Sequence, residues 1–330
     1  MSEPMHGAGV PRVDGRRLRG KHSQALLMAR VARLAYLEQR TKVQIAEELG
    51  LSRFQVGRLL DRARATGLVR IEIGLPDDIG FDLSGQLQDR FGLRYCAVTE
   101  APDESLHSLR TSVGQAATSL LEELVADRDV LGISSTRALM GLAEPPHGFS
   151  RCPVVQITGA VSRTDAWDVM EAVRRFTRVG GGPAYLYYAP MVCPDSADSS
   201  IYSKQPDFVR CQRLFGDLTV CAIGIGAWGD GLSTVYEAAS EHDRRIAHEA
   251  RAVAEVVGLL LDEDGRRVKT PLDGRMIGIS EAQLRSVPTR IGVAFDARKT
   301  EAVRATLKSG LINGIVLDRG LAEAILVEET

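Results

Sequence analysis

Between Thr41 and Arg64 the chain carries side chains suited to reading nucleic acid: Ser52, Arg53, Phe54, Gln55 and Arg58, followed by Arg62 and Arg64. An arginine fork pairs with the O6 and N7 edge of guanine, a glutamine amide with adenine, and an aromatic ring packs on a thymine methyl group. Such groups act only from a rigid element narrow enough to enter a major groove, and the spacing predicts one. Ile45 and Leu49 share one face of a first helix, Ala46 lets a second helix cross closely, and Gly50 can take the positive φ of a sharp inter-helix turn. Ser52 and Gln55 form a capping-box pattern, and Val56, Leu59, Leu60 and Ala63 make the buried stripe of the second helix. Gln55 therefore has two competing roles, base reader and cap. Arg62 and Arg64 fit phosphate contacts or a solvated face, because they lie beyond the end that dips into the groove. Thr41 at the head of the first helix joins the contact set, and Gly67 followed by the alternating run Leu68 to Ile73 predicts a short strand, or wing, behind the pair.

Charge follows the same division. Residues 1–75 hold 14 Lys and Arg against 7 Asp and Glu, whereas the remainder holds 27 against 36, so a net charge of −2 conceals a basic head on an acidic body. Residues 1–22, rich in Gly, Arg and Pro, predict a disordered basic arm whose Arg16, Arg17, Arg19 and Lys21 attract phosphate. A DNA-binding domain over 23–75 and a larger domain over 76–330, entered through Leu75-Pro76, complete the organisation. No apolar run approaches the roughly 18 residues that span a bilayer, and no signal-peptide core opens the chain, which predicts a cytoplasmic protein without a membrane partner. Five cysteines without a Cys-x-x-Cys pair and six histidines without ligand spacing predict unpaired thiols, no metal site and no cofactor.

In the larger domain short apolar runs alternate with helical patterns. Strands are expected at Tyr95–Thr99, Val130–Ile133, Val154–Thr158, Ala184–Ala189, Leu218–Ile225, Ile291–Ala294 and Gly314–Leu317, with helices near 106–125, 137–142, 166–178, 207–215, 244–261, 299–308 and 321–327. The pattern predicts an α/β fold, doubly wound, with a parallel sheet covered on both faces and ligands at the strand ends. Polar clusters fall at those ends. Ser134, Ser135, Thr136 and Arg137 combine three hydroxyls, backbone N–H groups and a guanidinium, an anion cradle in composition. Gln156, Thr158 and Gly159 follow the third run, and Gly224 and Gly226 precede the glycine loop Gly229-Asp230-Gly231.

These residues, together with Leu87 to Leu93, Gly132 to Arg137, Val155 to Gly159, Gly224-Ile225-Gly226 and Lys299 through Asp318, resemble the SorC family of bacterial transcriptional regulators, often grouped with DeoR-type sugar regulators. The resemblance covers most of residues 24–328. It implies a winged helix-turn-helix head and a C-terminal effector domain with a fold similar to phosphosugar isomerases. It further implies homodimers or homotetramers bound to palindromic double-stranded operators, and a sugar, sugar phosphate or polyol as effector. Carried over by position, Ser134 to Arg137 would hold part of the effector, Gln156 and Thr158 would line it, and Lys299 would meet a phosphate. Two positions depart from the family pattern: Phe295-Asp296 stands where a Gly-Gly pair is usual, and Glu255 replaces an aspartate in a helix before the Asp264-Gly265 turn. An acid beside the lysine would repel phosphate if it faced the pocket, which leaves an unphosphorylated sugar or polyol open as effector.

The reading that follows is a DNA-binding regulator of a carbohydrate or polyol operon, such as a repressor, and not an enzyme. The alternative is a sugar isomerase-like enzyme with an accessory DNA-binding head. Isomerisation needs a base and an acid at the bound carbon chain, and His242 and His248 lie on a charged helix.

Overall fold

The computed structural model describes residues 21–69, 81–135, 137–141, 148–161 and 169–327. The expected basic arm lies outside them, apart from Lys21 and His22 at the start of the first helix. The same holds for Thr136, for the Leu75-Pro76 linker and for the expected wing from Arg70 onward. The chain divides after Gly74 into two compact units.

The described residues of the first unit form three helices, α1 (Lys21–Tyr36), α2 (Lys42–Leu49) and α3 (Arg53–Ala65). Thr41 caps α2 and Ser52 caps α3. Each accepts from the backbone N–H three residues on, while a glutamine at that position, Gln44 or Gln55, accepts from the cap's own N–H. Two orphan donors are thereby satisfied at each helix start. Gly50 ends α2 at φ 64°, a conformation its missing Cβ makes inexpensive. Met28, Val31, Ala32 and Leu34 of α1 pack with Ile45, Ala46, Val56, Leu60 and Ala63 in one core. Each buried valine, leucine, isoleucine or methionine there contributes about 1.5–3 kcal/mol.

The second unit is built on a parallel sheet. Its strands are β1 (Tyr95–Thr99), β2 (Leu131–Ile133), β3 (Val154–Gln156), β4 (Ala184–Tyr185), β5 (Val220–Ala227), β9 (Thr289–Ala294) and β10 (Gly314–Asp318), in the order β1-β10-β9-β5-β2-β3-β4. Three short strands, β6 (Ala254–Val256), β7 (Leu259–Leu261) and β8 (Arg267–Val268), continue antiparallel from the far end of β5. Successive residues of a strand face opposite layers, as the pleat requires. Ile315 and Leu317 join one core with Leu87 of α4 (Phe81–Phe91), Phe208 of α8 (Pro206–Leu214), Val303 of α12 (Thr300–Ser309) and Leu321 of α13 (Arg319–Leu326). Val316 joins the other with Val113, Ala117 and Leu121 of α5 (Leu106–Leu124) and Phe176 of α6 (Val169–Gly180). The expected parallel sheet covered on both faces is what forms. The remaining helices are α7 (Ser196–Tyr202), α9 (Thr234–Ala238), α10 (Glu241–Glu249) and α11 (Glu281–Ser286).

Two helical expectations are corrected. The pattern over 244–261 splits: α10 stops at Glu249, Arg251 takes φ 58°, and β6 and β7 form a hairpin turned at Val257 and Gly258 with φ 49° and 88°. The hairpin exists because Ile225 to Ala227, past the end of the parallel ladder, have an edge for β6 to pair with. Glu255 therefore sits on a strand, not in a helix. The helix expected at 137–142 is a 3-10 turn, Ala138–Gly141.

From β2 the chain proceeds to β3 and β4 on one side, whereas from β5 it proceeds to β9 and β10 on the other. The boundary between β2 and β5 is thus the topological switch point, where open α/β sheets leave a crevice beyond their C-terminal strand ends.

Candidate functional site

At that boundary Ser134, the residue after β2, accepts a hydrogen bond through Oγ from the Gly224 N–H of β5, 3.1 Å away. Its own N–H is bonded to the Ala222 carbonyl, and the Ser135 N–H donates to Thr158 Oγ1 at 2.7 Å. The backbone donors of these two serines are thus committed inside the fold, and among the described residues the cradle expected there keeps the Ser135 hydroxyl and Arg137. Arg137 reaches α9, with Nη2 3.1 Å from Glu237 Oε1. The direction is poor for a hydrogen bond, so among the described residues this buried nitrogen has a charge partner and no well-aligned acceptor.

Across from Ser134, Gly226 of β5 pairs with Glu255 of β6. The Glu255 carboxylate is 5 % exposed and accepts from the Gly258 N–H at 2.6 Å and from Ser233 Oγ at 3.1 Å. Burial pushes its pKa up, opposed by those hydrogen bonds and by Lys299. Ser233 also caps α9 by accepting from the Tyr236 N–H. Gly226 has to be glycine here, since a Cβ would lie 2.8 Å from Ser233 Cβ and 3.0 Å from Glu255 Oε2.

Lys299 closes the site. It ends the 3-10 turn that leads from β9 into α12 and is 5 % exposed. Nζ donates to the Ile225 carbonyl at 2.9 Å and lies 5.2 Å from the centre of the Phe295 ring. No carboxylate among the described residues is within ion-pair range of it. Burial, reinforced by repulsion from Arg137, brings its pKa down to about 8, against the attraction of Asp296 and Glu255. Ser134, Ser135, Arg137, Gly224, Gly226, Glu255 and Lys299 line one cavity with Leu232 and Val257. About 10 Å³ of it admits a water-sized sphere, roughly the space of one water.

The departures from the family pattern have specific placements. Asp296 takes φ 87°, the left-handed side that favours glycine. Its N–H donates to Asp318 Oδ1 at 2.8 Å, and its carboxylate is held by Arg298 through Nε at 2.9 Å and Nη2 at 2.6 Å. It lines a different cavity, with Glu100 and Arg319, rather than that of Lys299. The acid therefore supports the lysine's charge from behind and does not stand in the pocket. Phe295 supplies the ring beside the ammonium.

Gln156, Thr158 and Gly159 are one strand further out and do not line the Lys299 cavity. Gln156 is fully buried, donating to the Thr158 carbonyl at 2.9 Å and accepting from the Tyr187 N–H at 3.2 Å. Gly159 packs on the backbone of Pro190 and Met191. Sequence reasoning overlooked Ile225, Leu232, Ser233 and Val257. Only Ser233 had a local signal, a cap-type residue after the Asp230-Gly231 turn.

In the first unit Arg53, Phe54, Arg58 and Arg62 are exposed, Phe54 at 83 %, and the three arginines form no ion pair among the described residues. Arg64 pairs with Asp61 at 2.6 Å. The Gln55 carbonyl oxygen accepts from the Ser52 N–H at 2.8 Å, which fills the cap role and leaves the amide nitrogen outward. Thr41 is held in its own capping box.

Residues 80–327 match the Sugar-bind family, described as "Putative sugar-binding domain". The transcriptional regulator LsrR of Klebsiella pneumoniae is 28% identical over 311 residues, which cover 91% of this chain and 92% of that protein. The erythritol catabolism regulatory protein EryD of Brucella abortus is 26% identical over 307 residues, 91% of this chain and 96% of its own. The crystal structure of the full-length sorbitol operon regulator SorC from Klebsiella pneumoniae matches with a TM-score of 0.69 at 25% identity, over 92% of this chain and 99% of that one.

Proposed function

The chain belongs to the Sugar-bind family of SorC-type regulators, and on that premise we propose that it is a cytoplasmic, DNA-binding transcriptional regulator. It controls genes of sugar or polyol use, and its grip on DNA changes when a phosphorylated sugar or polyol enters the Lys299 cavity. The polyol class is suggested by relatives named for sorbitol and erythritol. The observation that carries the anionic part is Lys299, a buried ammonium bonded to the Ile225 carbonyl and lacking a carboxylate partner among the described residues. A buried charge without a counter-charge is costly, and an anionic ligand removes that cost.

Helices α2 and α3 act as a helix-turn-helix. Ser52, Arg53, Phe54, Gln55 and Arg58 face base edges, and Thr41 and Arg62 contact the flanking phosphates. A homo-oligomer with two-fold symmetry presents two such helices to a palindromic operator. The enzyme alternative has less support: His242 and His248 are exposed on α10, and neither lines the Lys299 cavity.

Fluorescence anisotropy of labelled DNA from upstream of the gene tests the reading, with sugar and polyol phosphates and their unphosphorylated forms as additions. Salt-sensitive, sequence-specific binding that one phosphorylated compound shifts is expected. Binding indifferent to sequence, or to every such compound, overturns it.

A further inference from the structure

Gly57 sits in the middle of α3, where glycine is the poorest helix former after proline. Nothing among the described residues asks for it. Its φ is outside the left-handed region, unlike that of Gly50 at 64°, and a Cβ built on it would meet no described atom within 4 Å. An alanine would fit here and favour the helix, so the missing side chain serves something other than the packing of α3.

Its neighbours on the helix surface indicate what that is. Gly57 follows Arg53 by four positions and Phe54 by three, so the three share one face of α3, whereas Val56, Leu60 and Ala63 are the buried residues. Phe54 is 83 % exposed, and Arg53 and Arg58 border it, exposed and without ion pairs among the described residues. Two guanidinium groups draw this face toward DNA. Neither the phenyl ring nor the glycine can hydrogen-bond a base edge, since the backbone groups of Gly57 belong to the helix ladder. The apolar group that a major groove presents to such a surface is the C5 methyl of thymine. That methyl stands out from the base edge, so a helix lying against it needs contact area beside it and space in front of it. Phe54 supplies the area and Gly57 the space, roughly 4.5 Å apart along the helix axis.

We propose that Gly57 is the position where α3 comes closest to the bases, and that Phe54 and Gly57 form a bump and a notch that bracket one thymine methyl group in each half-site. This rests on the helix-turn-helix reading above and deepens it, assigning a base-reading role to a residue that has no side chain. Contact with the methyl group gives the preference for thymine, and the notch is what admits it.

The test starts from the duplex that the full-length wild-type protein selects from a random DNA library. Each thymidine of that duplex is exchanged in turn, in both half-sites, for deoxyuridine, which removes the methyl group alone. Fluorescence anisotropy at fixed salt then compares wild type, Gly57→Ala, Phe54→Ala and Gly85→Ala, the last a mid-helix glycine of α4 whose Cβ would likewise meet no described atom within 4 Å. At one thymine position wild type should bind the uracil duplex about fourfold more weakly, the worth of one buried methyl group. Gly57→Ala should bind the thymine duplex at least about tenfold more weakly than wild type, and come within about threefold of it once that same thymine is uracil, because one methyl group then replaces the other. Phe54→Ala should bind the two duplexes alike, and Gly85→Ala should bind as wild type does. Thermal melting separates recognition from fit: Gly57→Ala should melt no earlier than wild type. An earlier melt would assign the glycine to packing within this chain and overturns the proposal. An equal loss on unrelated DNA, which would set Gly57 against a phosphate, overturns it too, as does a loss that no single thymine exchange repairs. If wild type selects no sequence from the library, the helix-turn-helix reading itself falls, and this inference with it.

Discussion

The Lys299 ammonium donates to the Ile225 carbonyl at 2.9 Å, and among the described residues no acid neutralises it at close range. A neutral side chain of similar length should therefore suit the empty cavity better than the native one. Lys299→Met is expected to raise stability without effector by about 1 kcal/mol, since replacing buried charge with packed apolar atoms is neutral or stabilising. Operator affinity should be unchanged and the effector response lost. Denaturant unfolding beside DNA anisotropy checks both. A variant that is less stable yet still responds would remove Lys299 from the effector site.

The same lysine sets a pH dependence. Burial lowers its pKa from 10.5 to about 8, so between those values the unfolded chain holds more protons than the folded one. This group's contribution to stability accordingly increases as pH rises from about 8 toward 10.5, and below about 8 the full penalty is present. Glu255, raised by burial, has the opposite sign, its contribution being lost as pH rises through its own titration. For an anionic effector the consequence is opposite to that for stability: it needs the ammonium, and its affinity should fall above pH 8 by about tenfold per unit. A neutral polyol should show no such fall. Dissociation constants measured from neutral to alkaline pH distinguish the two, and Lys299→Met should flatten the profile.

The parallel strands were legible because each is an apolar run that a two-sided sheet demands, and the helix pair because Ala46, Gly50, Ser52 and Gln55 each state a local backbone requirement. The β6–β7 hairpin was not. Its turn places Val257 at positive φ, which no β-branched residue advertises, and its pairing depends on an edge of β5 that is some 30 residues earlier in the chain. The site was half legible for a related reason. Ser134, Arg137, Gly226, Glu255 and Lys299 converge because β2, β5 and β9 are neighbours. Sequence order alone gave Gln156 and Thr158 the same standing, although β3 lies one strand beyond the switch point. Leu232 carries no polar signature, and it joins the lining only from the loop that follows β5.

In the first unit, Arg53 and Arg58 leave the surface of α3 without ion-pair partners among the described residues. Arg53→Ala and Arg58→Ala should each weaken operator binding by about 1–3 kcal/mol with relaxed sequence preference, as expected of base-edge contacts. Equal losses on operator and unrelated DNA would assign them to phosphates. Ser52→Ala differs in kind. It removes one half of the capping box and should cost about 1 kcal/mol of stability, with operator affinity following only as far as α3 frays.

Gly226 is the position where the sheet and the site constrain one another most tightly. A Cβ there would come within 2.8 Å of Ser233 Cβ and 3.0 Å of Glu255 Oε2, so either α9 or the β6 strand must shift. Gly226→Ala should cost about 1–3 kcal/mol from overpacking in a strand buried along its whole length. The displaced parts include the Ser233–Glu255 hydrogen bond and the wall carrying Leu232, so the variant should also lose effector affinity out of proportion to its lost stability. Shortening the acid makes room: Glu255→Asp in the same chain should restore part of the stability, which a double-mutant cycle in denaturant measures. Strictly additive effects would show that the added methyl group is accommodated elsewhere and that Glu255 does not press on this strand.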